Sequence, residues 1–187
     1  FTPKIAESST AVRLFIDILT DPCGQAATLE ALHELGLLER LLPEFASVIG
    51  LVQRDLYHTY TVDAHLIYCA QTVGRAFSSS ALSADIPSDI VEATSRVSRP
   101  HVLVLGALMH DVGKGRGQGH SARGAFMAEK AARRMLWRRE DRIDLAFLVQ
   151  EHLSMMIISQ RRNLEDLDLV RRFARRVETF ERLDMLF

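Results

Sequence analysis

The chain has 187 residues, 48% of them hydrophobic and 25% charged, with a formal net charge of -1. This length and apolar content suit one domain with a core and exclude a disordered chain. The near-neutral charge gives no overall pull toward nucleic acid or a membrane surface. No apolar run reaches the roughly 18 residues of a membrane span, and no signal peptide is visible. Phe1 stands where a start methionine would, so the sequence reads as a piece of a longer chain. Cys23 and Cys69 form no C-x-x-C motif and read as two thiols in a reducing cytoplasm.

In chain order, Val12, Phe15, Ile16 and Leu19 fall at helical spacing and Asp21-Pro22 ends that element. Leu29, Leu32 and Leu35 mark a second short helix, with Gly36 as its stop. A further turn or two follows over residues 37–42. The polar connection GLVQRDLYHTYT shows no period. After a Thr61 cap, Val62, Leu66, Cys69, Val73 and Phe77 make a clean helical stripe. Residues 78–88 read as a serine- and alanine-rich loop, and a short helix is expected over 89–97. Pro100 opens an apolar helix in which Val102, Leu105, Met109 and Val112 repeat, with Gly113 placed as its C-terminal cap. Further helices are expected over 121–137, 143–153, 166–177 and 178–187. No β alternation or hairpin signal appears. The expectation is an all-α, compact multi-helix bundle: one domain over 1–187 with an N-terminal helical lead-in over about 1–45.

Function concentrates in GALMHDVGKGRGQGHSARGA, residues 106–125. An apolar helix runs into His110-Asp111, passes four alternating glycines and restarts at His120. His65 sits among Val62, Leu66 and Cys69 on a buried stripe, and His152 follows Leu145, Leu148 and Val149 on another. His110 shares a face with Leu103, Gly106 and Ala107. His120 stands one turn before Gly124, where a small residue admits a neighbouring helix. One inward histidine is ordinarily a core residue. Four of them with a carboxylate are costly to bury unless a shared divalent cation satisfies them. Imidazole with carboxylate suits manganese, iron, cobalt, nickel or zinc, whereas calcium asks for more oxygen.

His33 reads as a surface or half-buried residue, His101 as positional, and His58 as a rim candidate. Lys114 and Arg116, in the glycine-rich link, add positive charge of the kind a phosphate site uses. The link does not fit G-x-x-x-x-G-K-[ST], which argues against a P-loop. The five arginine pairs from Arg133-Arg134 to Arg175-Arg176 read as solvated faces, with Arg161 and Arg162 within reach of a phosphate.

His65 followed by His110-Asp111 resembles the signature of the HD superfamily of metal-dependent phosphohydrolases, which is all-helical. LLPEFASVIGLVQRDLYHTYTVDAH, LMHDVGKGRGQGHSARGA, VQEHLSMMIISQRRNLED and VRRFARRV resemble, in order, the HD domain of the bacterial bifunctional PII uridylyltransferase/uridylyl-removing enzymes. The likeness covers the chain from about Leu29 onward. It implies that His65, His110, Asp111, His120 and His152 are metal ligands, and that Asp111 and Lys114 are catalytic. It implies that Lys114, Arg116 and Arg161 contact substrate. The implied cofactors are two divalent cations, manganese or magnesium first, iron or zinc as alternatives. The implied substrate is uridylylated PII protein and the product UMP, in the cytoplasm, with neither nucleic acid nor membrane as partner. The family's last signature aspartate is expected beyond Phe187, since Asp184 comes too early. Two rivals stay open: another HD-type nucleotide or cyclic-dinucleotide hydrolase, and a helical regulatory module.

Overall fold

A computed structural model describes residues 3–21, 24–52, 60–78, 85–161 and 166–187. Among these residues all regular structure is helical, as the sequence pattern requires: α1 (Ser9–Thr20), α2 (Gln25–Glu34), α3 (Leu38–Leu41), α4 (Val62–Ala76), α5 (Ser88–Ser95), α6 (Pro100–Met109), α7 (His120–Arg134), α8 (Arg139–Glu151), α9 (Ser154–Arg161), α10 (Leu167–Val177) and α11 (Phe180–Leu186). Short 3-10 turns lie at Pro3–Glu7 and Pro43–Val48. No described helix is long and apolar enough to cross a membrane.

The sequence PHVLVLGALM has no polar face, and α6 is accordingly the central helix. Val102, Val104, Leu105, Leu108 and Met109 are fully buried. Each such side chain contributes on the order of 1.5–3 kcal/mol relative to exposure. Around α6 pack α1, α4 and α8, and α7 lies along α8. The early helices are tied to this centre. Gln25 of α2 donates to the Ala70 carbonyl at 3.0 Å, and Gln71 of α4 returns a bond to Ala26 at 2.9 Å.

Ion pairs fasten the far end. Arg99 at the start of α6 meets Asp141 and Asp144 of α8 and Glu181 of α11. Arg182 of α11 donates to Asp144 at 2.7 Å. Asp184 pairs with Arg96 at 2.7 Å.

Helix α8 starts at Arg139, four residues before the expected 143, and two further features depart from the sequence pattern. Helix α6 ends at Met109, not beside Gly113, and His110 is its C-cap. Helix α9 has no counterpart in the sequence pattern. Its Met156 and Ile157 stay 48% and 40% exposed, so it offers no buried stripe to read. His58, Cys23, Arg162 and residues 79–84 of the expected serine-rich loop lie outside the described residues.

Candidate metal centre

Four helices deliver the inward histidines. His65 sits in the first turns of α4, His110 caps α6, His120 opens α7 and His152 caps α8. Two of them are held by the same local device. Nδ1 of His110 lies 2.8 Å from the Ala107 carbonyl, and Nδ1 of His152 lies 2.8 Å from the Val149 carbonyl. A carbonyl only accepts, so Nδ1 carries the proton in both rings. Each Nε2 lone pair is thereby turned toward the centre, the orientation a metal-binding imidazole needs. The rings form an arc, with centroids 5.2 Å apart for His65 and His110, 5.1 Å for His110 and His152, and 5.4 Å for His152 and His120.

Asp111, 4% exposed, lies inside this arc. Its Oδ2 accepts from Lys114 Nζ at 2.7 Å and lies 3.3 Å from His110 Nε2. Its Oδ1 lies 3.4 Å from His120 Nε2 and 3.5 Å from His152 Nε2. Burial alone would raise the Asp111 carboxyl. The Lys114 ammonium, bonded to Oδ2, opposes it, and the group sits below the ordinary carboxylate range. His120 is pushed down, chiefly by burial. Its ring is therefore biased toward the neutral, ligating form.

The donor set passes a direct test of fit. Asp111 Oδ1, His120 Nε2 and His152 Nε2 are buried and make no hydrogen bond, although they face one another. Buried polar atoms without partners cost on the order of 1–3 kcal/mol each. A cation among them removes that cost. Their atoms all lie within 4.8 Å of one another, as do those of a second group, His65, Cys69 and His110. A tetrahedral ion bound at roughly 2.0–2.2 Å sets nitrogen and oxygen ligands about 3.4 Å apart, close to the separations here.

The glycine-rich link folds the site shut. An added Cβ at Gly113 would meet the His120 carbonyl oxygen at 2.1 Å, so only glycine lets α7 start this close to the end of α6. An added Cβ at Gly124 would meet Val149 at 2.9 Å, which is the close approach of α7 and α8 that the sequence implied. Arg123 clamps the link, donating to the carbonyls of Gly113, Gly117 and Gln118.

Lys114 is brought to the histidines and Arg116 is not. Arg116 lines a separate groove of about 370 Å³ with Pro43, Glu44, Phe126 and Lys130. Arg161 closes α9, and its side chain lies outside what the structure describes. His33 is half-buried against Phe45, and His101 packs edge-on to Trp137. A mostly apolar cavity of about 490 Å³, walled by α4, α5, α6, α8 and α11, reaches His110 and His152.

Cys69, which the sequence pattern places only as a residue of the His65 stripe, also lies at the centre. Cys69 lies one helical turn after His65, with Sγ 3.6 Å from His65 Nε2. Burial, and secondarily the charge of Asp111, push its thiol up to about 11. The signal was the H-x-x-x-C spacing, which sets both side chains on one helix face.

A helical bundle with paired histidine and aspartate ligand atoms converging from four helices defines a candidate metallohydrolase centre. Residues 56–183 match the HD domain family. The chain belongs to that family of metal-dependent hydrolases, whose members bind divalent metals. It is 38% identical over 93% of its length to a bifunctional uridylyltransferase/uridylyl-removing enzyme of Thiobacillus denitrificans. It is 36% identical over 98% of its length to the enzyme of that name from Azospirillum brasilense, and 36% over 92% to the one from Chromobacterium violaceum. The chain spans about 20% of the length of each of these relatives.

Proposed function

We propose that this chain carries a metal-dependent phosphodiesterase centre that removes UMP from uridylylated PII protein. The observation that carries the reading is the trio of buried, mutually facing ligand atoms without hydrogen bonds: Asp111 Oδ1, His120 Nε2 and His152 Nε2. The names of the relatives, which are uridylyl-removing enzymes, support the choice of reaction. His65, His110, Asp111, His120 and His152 hold divalent cations, two by the grouping of their atoms. When bound, such cations supply Lewis-acid stabilisation of a phosphoryl group and a nucleophile at neutral pH.

The chain's own residues do the rest. The Ala107 and Val149 carbonyls fix the tautomers of His110 and His152. Lys114, 14% exposed, holds Asp111 in place and sets an ammonium beside the reacting phosphate, where negative charge grows in the transition state. Where the uridylylated residue is a tyrosine, the leaving tyrosinate, with a conjugate-acid pKa near 10, needs less protonation than an alkoxide would. No dedicated general acid is required for it.

The test is elemental analysis of the purified chain beside an Asp111→Ala control, followed by an assay of UMP release from uridylylated PII. One or two metal ions per chain, lost in the control, with UMP released by the metal-loaded protein, support the reading. Absence of metal after incubation with manganese, cobalt and zinc overturns it. Metal binding with preferential hydrolysis of a free nucleotide or cyclic dinucleotide keeps the centre and overturns the substrate.

A further inference from the structure

We propose that the groove beside α7 docks an extended, acidic segment of the protein substrate and so helps to select which phosphodiester reaches the metal centre. The inference rests on the reading of that substrate as a uridylylated protein and adds the place where its polypeptide is held. The groove, of about 370 Å³, lies between the Pro43–Val48 turn, the glycine-rich link and α7.

Its position follows from helical spacing. His120 opens α7, and Arg123, Met127 and Lys130 follow it by three, seven and ten residues. That spacing sets all four along one side of the helix. The groove lined by the last three therefore begins one turn from a proposed metal ligand. At about 1.5 Å per residue, Lys130 stands roughly 15 Å along the axis from His120. An extended peptide advances about 3.3 Å per residue, so about four or five residues cover that distance.

The lining has the chemistry to hold such a segment. Phe126, 71% exposed, and Met127 give it apolar surface. The cations that border it are not equivalent. Arg123 is used within the fold, its guanidinium donating to the carbonyls of Gly113, Gly117 and Gln118. Arg116 and Lys130 are exposed, and among the described residues neither makes a hydrogen bond or ion pair. The Glu44 carboxylate in the wall is already taken by two bonds from Arg134. The groove thus presents two uncommitted positive charges beside an aromatic ring, and a carboxylate-bearing stretch of polypeptide complements it. Complementarity of this kind selects a partner and speeds its encounter. The acidic residue is expected about three to five positions from the modified one. A diester of UMP with a small alcohol has no such stretch.

Two substrates separate docking from catalysis: uridylylated PII and the p-nitrophenyl ester of UMP. Each is assayed with the metal-loaded parent chain, with Arg116→Glu and Lys130→Glu, and with the conservative Lys130→Arg. Charge reversal is expected to lower kcat/KM for the protein about tenfold or more beyond any change for the ester, and to do so through KM. Lys130→Arg should keep the parent's ratio of the two. In the parent alone, raising salt from about 0.05 to 0.5 M should lower the protein-to-ester ratio, because exposed charges are screened. A ratio that stays fixed in both charge-reversal variants, or in the parent across that salt range, overturns the groove and leaves the proposed reaction intact. Equal losses on both substrates also overturn it, since the change then acts through the metal centre. A parent that releases no UMP from the protein overturns the substrate reading and the groove with it. The salt series needs no variant, so the proposal does not depend on the variants folding.

Discussion

Lys114 Nζ donates to Asp111 Oδ2 at 2.7 Å across the turn that follows α6. This bond divides the labour of one carboxylate. Oδ2 is held by the ammonium, which leaves Oδ1 directed at His120 and His152. Replacing Lys114 by Met keeps most of its bulk and removes the charge. Asp111 then loses its anchor and the phosphate loses a nearby cation. Hydrolysis of a phosphodiester is expected to fall on the order of 100-fold, mainly in kcat. Metal affinity, read by calorimetry, is expected to weaken by about 10-fold or more. Unchanged affinity with normal kcat would show that the Lys114–Asp111 bond is only a surface ornament of the turn.

Metal should also act on stability, because four separate helices supply the ligand atoms and none of them can assemble the set when unfolded. An ion that binds only the folded state at 100 times its Kd adds about 2.7 kcal/mol, or roughly 5–10 °C of Tm for a chain this long. Thermal melts with and without excess cobalt(II) measure it. Asp111→Ala should melt at nearly the same temperature in both conditions. An equal metal-induced shift in parent and variant would place the bound ion elsewhere.

Much of the bundle was legible because its helices carry a one-sided apolar period. That holds for α1, α4 and α7, and the uniformly apolar α6 announced itself as central. The histidine centre was legible for the same reason, since a polar residue on a buried stripe stands out. What could not be read depends on pairings across the chain or on backbone detail. The sequence pattern carries α6 too far because Gly113 looks like a cap, whereas its lack of a Cβ serves the approach of α7. In the sequence the Arg133-Arg134 pair reads as a solvated face, and for Arg134 the structure differs. Arg134 instead makes a two-bond pair with Glu44, 90 positions away in sequence. Cys69 shares the His65 stripe in the sequence pattern, but a lone cysteine there reads only as a core thiol.

Among the described residues the same helix-ending motif occurs twice, with different residues at its left-handed position. At the end of α2, Gly36 has φ +64°, its N–H bonds the His33 carbonyl, and the Leu37 N–H bonds that of Leu32. At the end of α7, Leu136 has φ +58°, its N–H bonds the Arg133 carbonyl, and the Trp137 N–H bonds that of Ala132. Both are Schellman endings. Glycine made the first visible in the sequence, and leucine hid the second. Leu136 is 83% exposed, so its side chain contributes little packing against the left-handed penalty. Leu136→Gly is expected to stabilise the chain by about 1 kcal/mol in urea unfolding. A loss of stability would mean that the leucine makes contacts worth more than its backbone strain.

The Glu44–Arg134 pair joins the 3-10 turn at Pro43–Val48 to the last turn of α7, through two bonds of 2.7 and 2.8 Å. The side chains are 7% and 17% exposed, so the pair is largely desolvated. Burial raises the Glu44 carboxyl, but the Arg134 guanidinium outweighs it and the group sits below its ordinary value of 4.5. A carboxylate lowered on folding adds stability above its ordinary value, and that stability is lost as pH falls through the lowered one. Glu44→Gln leaves Arg134 facing a neutral amide, and its cost at pH 7 is expected to be about 3 kcal/mol. The difference between parent and variant in urea unfolding should be constant from pH 7 down to about pH 5. Below pH 4.5 it should shrink as Glu44 takes up its proton. Other buried carboxylates titrate equally in both proteins, so the difference isolates this pair. A gap that stays fixed at low pH would mean that the variant fails through packing and not through the lost charge.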